Sequence, residues 1–185
     1  MQILWFALGI VGLIILWAIW AYNRFVTLRM RSQEALSDID VQLKRRFDLI
    51  PNLIEAVKGY MQHEKSVLEN VTRARTESMN ASGSPLDHAD KDNMLTSALK
   101  SLFAVSENYP DLKASANFAE LQRELSDTEN KIQAARRFYN STVMALNTMV
   151  DSFPANFIAS MFKFTKEKFF QIDSAAEREP VKVKF

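Results

Sequence analysis

The chain has 185 residues, a net charge of +1, 48% hydrophobic residues and no cysteine. That length can bury the core of one domain, while the missing cysteines exclude disulfides, cysteine-ligated zinc and cysteine nucleophiles. Only 4 glycines and 5 prolines leave little material for hairpins and tight turns, so an all-α fold is expected.

Residues Ile3 to Tyr22, ILWFALGIVGLIILWAIWAY, carry no charge. At a helical rise of about 1.5 Å per residue this run crosses a hydrocarbon core of roughly 30 Å. No basic segment precedes it and no small-residue cleavage pattern follows, so an uncleaved anchor is expected rather than a signal peptide. Trp17, Trp20 and Tyr22 sit at the end where aromatic rings favour the membrane interface, and Arg24 follows directly. With Arg24, Arg29 and Arg31 after the span and no charged side chain before it, the positive-inside rule puts the N-terminus outside and the C-terminal part in the cytoplasm. The expected division is 1–23 as transmembrane anchor, 24–176 as a cytoplasmic helical bundle and 177–185 as an extended tail.

Beyond the anchor, Ile39, Leu43, Phe47, Ile50, Ile54, Val57 and Met61 step by three or four, with Leu68 and Val71 on the same line. This predicts one amphipathic helix, kinked at Pro51, where a backbone hydrogen bond is lost. Of the three consecutive cations, Arg46 falls on the apolar line and points toward the core edge, whereas Lys44 and Arg45 point outward. A carboxylate from the late helix should hold Arg46, and Glu129 is the first candidate for this structural ion pair. The loop Asn80 to Pro85 should close that helix and open the next, with Ser84 as N-cap and Pro85 in first position. The second helix is expected to run to about Asn108, and Asn117 with Glu120 to cap the third.

The third helix has the clearest pattern. Phe118, Leu121, Leu125, Thr128, Ile132, Ala135, Tyr139, Val143, Leu146, Val150 and Phe153 alternate steps of three and four, as in a packed bundle or coiled coil. After Pro154 a shorter helix is expected through NFIASMFKFTKEKFF, followed by the tail REPVKVKF.

Catalytic patterns are missing. His63-Glu64 lacks the second histidine of a zincin helix, since Val67 stands there, and no glycine-rich phosphate loop or nucleophile elbow is found. The acidic run Asp87 to Asn93 lacks the glycine and glutamate of a calcium loop and reads as helix capping. The polar run Thr128 to Asn140 reads as a solvated or inter-helix face. No catalytic, metal or cofactor-binding residue is therefore assigned. A nearly neutral chain with interleaved charges also offers no basic face for nucleic acid.

Two blocks, IDVQLKRRFDLIPNLIEAVKGYMQHE (Ile39 to Glu64) and LQRELSDTENKIQAARRFYNSTVMALNTMVDSFPANFIA (Leu121 to Ala159), resemble the signature blocks of the LemA family of bacterial membrane proteins. With the span and the closing VKVKF, the resemblance covers nearly the whole chain and is loosest from Ser78 to Asn117. It implies a bacterial inner-membrane protein with an N-terminal anchor and a helical bundle, in a family without assigned catalytic residues. Relatives linked to magnetosome formation imply a role in membrane organisation.

Two functional classes follow. The first is a non-enzymatic, membrane-anchored scaffold or adaptor that contacts membrane lipid, forms homo-oligomers and recruits protein partners. The second is a ligand-binding or enzymatic module with a pocket where Arg46, His63, Glu129, Arg136 and Tyr139 converge. The first is favoured, and it draws on the aromatic C-terminal segment. Phe162, Phe164 and Phe169 spread around a helix, so some of them are expected to face a neighbouring subunit or the membrane interface unless the tail covers them.

Overall fold

The computed structural model describes residues 1–87 and 89–170. Six helices occur among them: α1 (Gln2–Lys58), α2 (Lys65–Met79), α3 (Ala89–Ser106), α4 (Pro110–Lys113), α5 (Ala116–Asp151) and α6 (Ala155–Phe162). The all-α class holds, with no strand among the described residues. The described residues form two compact units, Met1–Ser37 with Ala135–Phe169, and Asp38–Ala134 with Phe170. The expected tail, 177–185, lies outside the described residues.

The second unit packs the latter part of α1, helices α2, α3 and α4 and the first part of α5. Ile50, Leu53, Val57 and Met61 meet Val71 and Ala74 of α2, Leu95, Leu99 and Leu102 of α3, Leu112 of α4 and Phe118, Leu121 and Leu125 of α5. The longer helices give stripes spaced by three and four and α4 adds Leu112 alone, so burial of these residues drives the packing. The first stripe does not continue as one helix to Val71. Helix α1 stops at Lys58, and 59–64 turn before α2 starts. The turn is held by the Met61 N–H donating to the Val57 carbonyl at 2.9 Å, with the Met61 side chain buried as a plug.

Pro51 lies inside α1 and does not end it. Proline has no N–H to give the carbonyl four residues earlier, and that carbonyl belongs to Phe47. Arg75 of α2 supplies the missing donor, its Nε reaching the Phe47 carbonyl at 2.9 Å. The defect in one helix is thereby turned into a tie between two.

Helix α3 begins at Ala89, not at Pro85. Ser84 closes a turn instead, with its N–H and hydroxyl both donating to Asp87 Oδ2 at 2.9 Å. Gly83, at φ +116°, permits this close approach, since a Cβ there would lie 2.7 Å from the same oxygen. Helix α5 also begins earlier than the Asn117 pattern implies, and Ser115 Oγ accepts the Phe118 N–H at 3.5 Å.

In the first unit, Ala21, Phe25 and Leu28 of α1 form a core with Leu146 of α5 and Ala155, Ile158 and Ala159 of α6. Trp17, Ala18, Ala145, Met149, Val150 and Phe164 pack against it. Helix α6 is shorter than the sequence pattern implies. It ends where Lys163 takes a left-handed conformation, φ 57°, and residues 164–170 continue without regular structure. Part of that segment is strapped to α5. The Asn147 side chain gives Nδ2–H to the Glu167 carbonyl and takes the Glu167 N–H on Oδ1, both at 2.9 Å, as a strand neighbour would. The Tyr139 hydroxyl donates to the Lys168 carbonyl at 2.9 Å, and Lys166 pairs with Asp151 at 2.6 Å.

Candidate functional site

The most concentrated polar chemistry lies in the second unit around Arg46. Its place between Leu43 and Ile50 on the apolar face of α1 forces the guanidinium inward, where it is 1% exposed. Such a charge needs partners, because desolvation of an isolated cation far exceeds what packing returns. Arg46 Nη1 donates to Thr96 Oγ1 at 3.0 Å and to Glu129 Oε2 at 3.1 Å, and Nη2 donates to Asp92 Oδ1 at 3.3 Å. The Ser78 hydroxyl also donates to Asp92 Oδ1. The Thr96 hydroxyl donates to Glu129 Oε2 at 3.3 Å, and Gln133 Nε2 to Glu129 Oε1 at 3.2 Å.

The network thus joins α1, α2, α3 and α5. Of its two carboxylates, Asp92 is sealed in and Glu129 is 26% exposed. Glu129 stands where the sequence expects the partner of Arg46. Asp92, Thr96 and Ser78 were not assigned from sequence, although Asp92 lies on the line Asp92, Leu95, Leu99, Leu102, which would have shown it turned inward.

Chemically, the described arrangement is closed. Both hydroxyls are committed to carboxylates and both carboxylates to Arg46. A pocket of about 200 Å³ opens on Arg46, Thr96 and Glu129, with Lys100, Phe103 and Asn130 on its wall, which is smaller than the usual ligand site.

The convergent pocket of the second functional class does not form within either unit. Arg46, His63 and Glu129 belong to one unit, Arg136 and Tyr139 to the other. His63 lines a separate open groove with Ile54, Met61, Lys65, Leu68 and Arg73. Burial, and then the nearby Glu167, pushes the Tyr139 phenol up to about 12. Tyr109 is raised by burial and by Glu64, to which its hydroxyl donates at 3.3 Å. Both phenols therefore stay protonated and serve as donors. Among the described residues no three His, Cys, Asp or Glu side chains gather as a metal site. Of the other two cations beside Arg46, Lys44 is exposed and Arg45 pairs with Glu124 of α5.

The second candidate region lies in the first unit, beside the apolar run. Helix α1 holds the described segment long and apolar enough to cross a membrane. Trp17 is half-buried against α6, whereas Trp20, Tyr22 and Arg24 are exposed. Of the three aromatic candidates, Phe164 is half-buried, stacked on Phe25 at 4.8 Å between ring centres and edge-on to Tyr22. Phe162 also meets Tyr22 edge-on, at 4.7 Å, yet its outer side is exposed. Phe169, on the strap, is exposed.

Comparison with known proteins agrees with this architecture. The LemA family model matches residues 35–185. Protein LemA of Metamycoplasma hominis is 30% identical over 154 residues, covering 82% of this chain and 68% of that protein. Magnetosome protein MamQ 2 of Paramagnetospirillum magneticum is 25% identical over 181 residues, covering 84% of this chain and 66% of its own length. Magnetosome protein MamQ of Magnetospirillum gryphiswaldense is 23% identical with the same coverage. The chain thus spans just under two thirds of the length of the magnetosome relatives. With a family model matched from residue 35 to residue 185 on an all-α fold that carries a candidate membrane helix, the chain belongs to the LemA family.

Proposed function

We propose that this protein is a non-enzymatic, membrane-anchored helical scaffold that self-associates in the plane of the bacterial plasma membrane and organises that membrane or its protein neighbours. Its N-terminus lies outside and the domain beyond Tyr22 lies in the cytoplasm. The observation that carries this reading is α1, whose apolar run continues without a break into the helix that supplies the packed cores. The closed Arg46 network supports a bundle whose polar groups hold helices together rather than bind a substrate. The magnetosome relatives support a place in membrane organisation.

Self-association draws on the aromatic surface left outward. Phe162 and Phe169 keep exposed sides, and Phe162 and Phe164 border a groove of about 380 Å³ with Tyr22, Val26, Arg29 and Met30. Copies held by an anchor in one plane meet at high effective concentration, so a weak lateral contact is enough to assemble them. Crosslinking in native membranes, followed by mass spectrometry, tests this. Crosslinks between copies, joined by recurrent envelope partners, are expected. A chain that crosslinks to no copy of itself contradicts the self-associating scaffold.

A further inference from the structure

Helix α6 is apolar on both sides. Ala155, Ile158 and Ala159 face the core with Ala21, Phe25 and Leu146. On the other side Phe157 and Met161 follow one another at the spacing of four residues, and Phe153 extends their line from the preceding turn, its ring edge-on to Phe157 at 5.9 Å. These three are 79%, 63% and 71% exposed in chain order. A helix with apolar residues on two opposite sides is at home in a core or in a bilayer, and no described residue covers this face.

Its position identifies the solvent. The inner face of α6 packs where Trp17, Ala18 and Ala21 lie, which are residues of the final turns of the apolar run ending at Tyr22. From Trp17 to Tyr22 the axis advances about 7 Å, so α6 lies level with the border of the hydrocarbon region. Charges flank the apolar stripe: Lys163 follows α6 at once, Lys168 lies on the strap and Arg24 follows the span on α1, as expected where a helix ends at anionic headgroups, while Asp151 at the end of α5 is paired with Lys166.

We infer that the turn between α5 and α6 is a second membrane-inserting element, in which Phe153, Phe157 and Met161 enter the acyl chains beside the span and Lys163 stays at the headgroups. The occupant of this face is lipid, rather than a second copy, because the face continues the surface of the span. The inference rests on the anchored reading of α1. It makes the molecule a two-point anchor, with the domain oriented by the hairpin as well as attached by the span.

The natural absence of cysteine makes the test direct. Single cysteines at Phe157, Met161, Leu13 and Ser141 of the full chain are labelled with an environment-sensitive fluorophore and reconstituted in phosphatidylcholine–phosphatidylglycerol vesicles. Some vesicles contain lipids with a nitroxide quencher near the headgroup, others with it deep in the chain. Phe157 and Met161 are exposed, so replacing them leaves the core intact. Labels at both are expected to be blue-shifted and to lose most of their emission to the shallow quencher. The Leu13 label should be quenched by the deep one, and the Ser141 label, on the exposed side of α5, by neither. Quenching at Leu13 without quenching at Phe157 and Met161 overturns the hairpin proposal alone. A blue shift at those two sites without lipid quenching also overturns it and assigns the face to another copy. Failure at Leu13 as well overturns the anchor with it.

Discussion

Arg46 is 1% exposed and donates to two carboxylates and one hydroxyl, so its removal should do more harm than its own contacts are worth. In Arg46→Ala the Asp92 carboxylate is left sealed in without its counter-ion, and a loss of about 3 to 5 kcal/mol is expected. Glu129→Gln keeps the shape and acts at a partly exposed site, so about 1 kcal/mol is expected. Urea denaturation of the detergent-solubilised chain checks both, and equal losses would contradict the network's division into a sealed and an open half. Tyr139 gives a pH prediction. Its folded value, about 12, lies above its ordinary 10.0, so the unfolded chain releases the proton first. Stability from this group is complete below pH 10 and lost as pH rises towards 12, in all on the order of 2 kcal/mol. Measured as the difference between wild type and Tyr139→Phe, which cancels other titrating groups, this alkaline loss should belong to the wild type alone. A parallel pH profile in the variant would refute it. The inward turn of Arg46 was legible because one position on an apolar line fixes a side chain's direction. Asp92 was not, because the acids from Asp87 onward read together as helix caps, and that grouping hid the spacing that puts Asp92 on the buried line of Leu95, Leu99 and Leu102.

Pro51 and Arg75 show one helix completing another. If Arg75 Nε compensates for the N–H that Pro51 lacks, Arg75→Met should cost about 1 to 2 kcal/mol in the native chain, through an unsatisfied Phe47 carbonyl. In a Pro51→Ala background the backbone N–H returns to that carbonyl, and the same substitution should cost clearly less. Pro51 is exposed, so the alanine loses little packing of its own. A double-mutant cycle on thermal or urea unfolding reads the coupling, and strictly additive costs would contradict the compensation. The long stripes of α1 and α5 were legible because periodicity accumulates over many turns. The ends were not. The turn 59–64 interrupts a line that in sequence runs on to Val71, since reversal of the chain brings Val71 back to the same core by another route. Phe153 lies on the α5 line in sequence, but α5 ends at Asp151, the phase is lost, and the ring turns outward. The strap beyond Lys163 was read as helix, because its pairing with Asn147 and Tyr139 is long-range and leaves no periodic signal.

An apolar run beside two packed cores gives the protein a cellular direction that its polar groups do not. The charge balance on either side of the span predicts that a reporter fused after Phe185 is active in the cytoplasm, and activity only in the exported compartment would reverse the topology. Family membership and an apolar helix of membrane-crossing length were readable from the sequence, since both are written in contiguous residues. What the proposed scaffold assembles with depends on surface shape, which sequence order does not encode. Assembly of anchored copies through the aromatic surface near the membrane is checked by extracting the full chain with its surrounding lipid in an amphipathic polymer and measuring the protein mass of single particles. Particles holding several 21.2 kDa chains are expected, with a shift towards single chains, helical content retained, in Phe162→Ser and Phe169→Ser. Wild-type particles holding one chain each, at all surface densities, would contradict it.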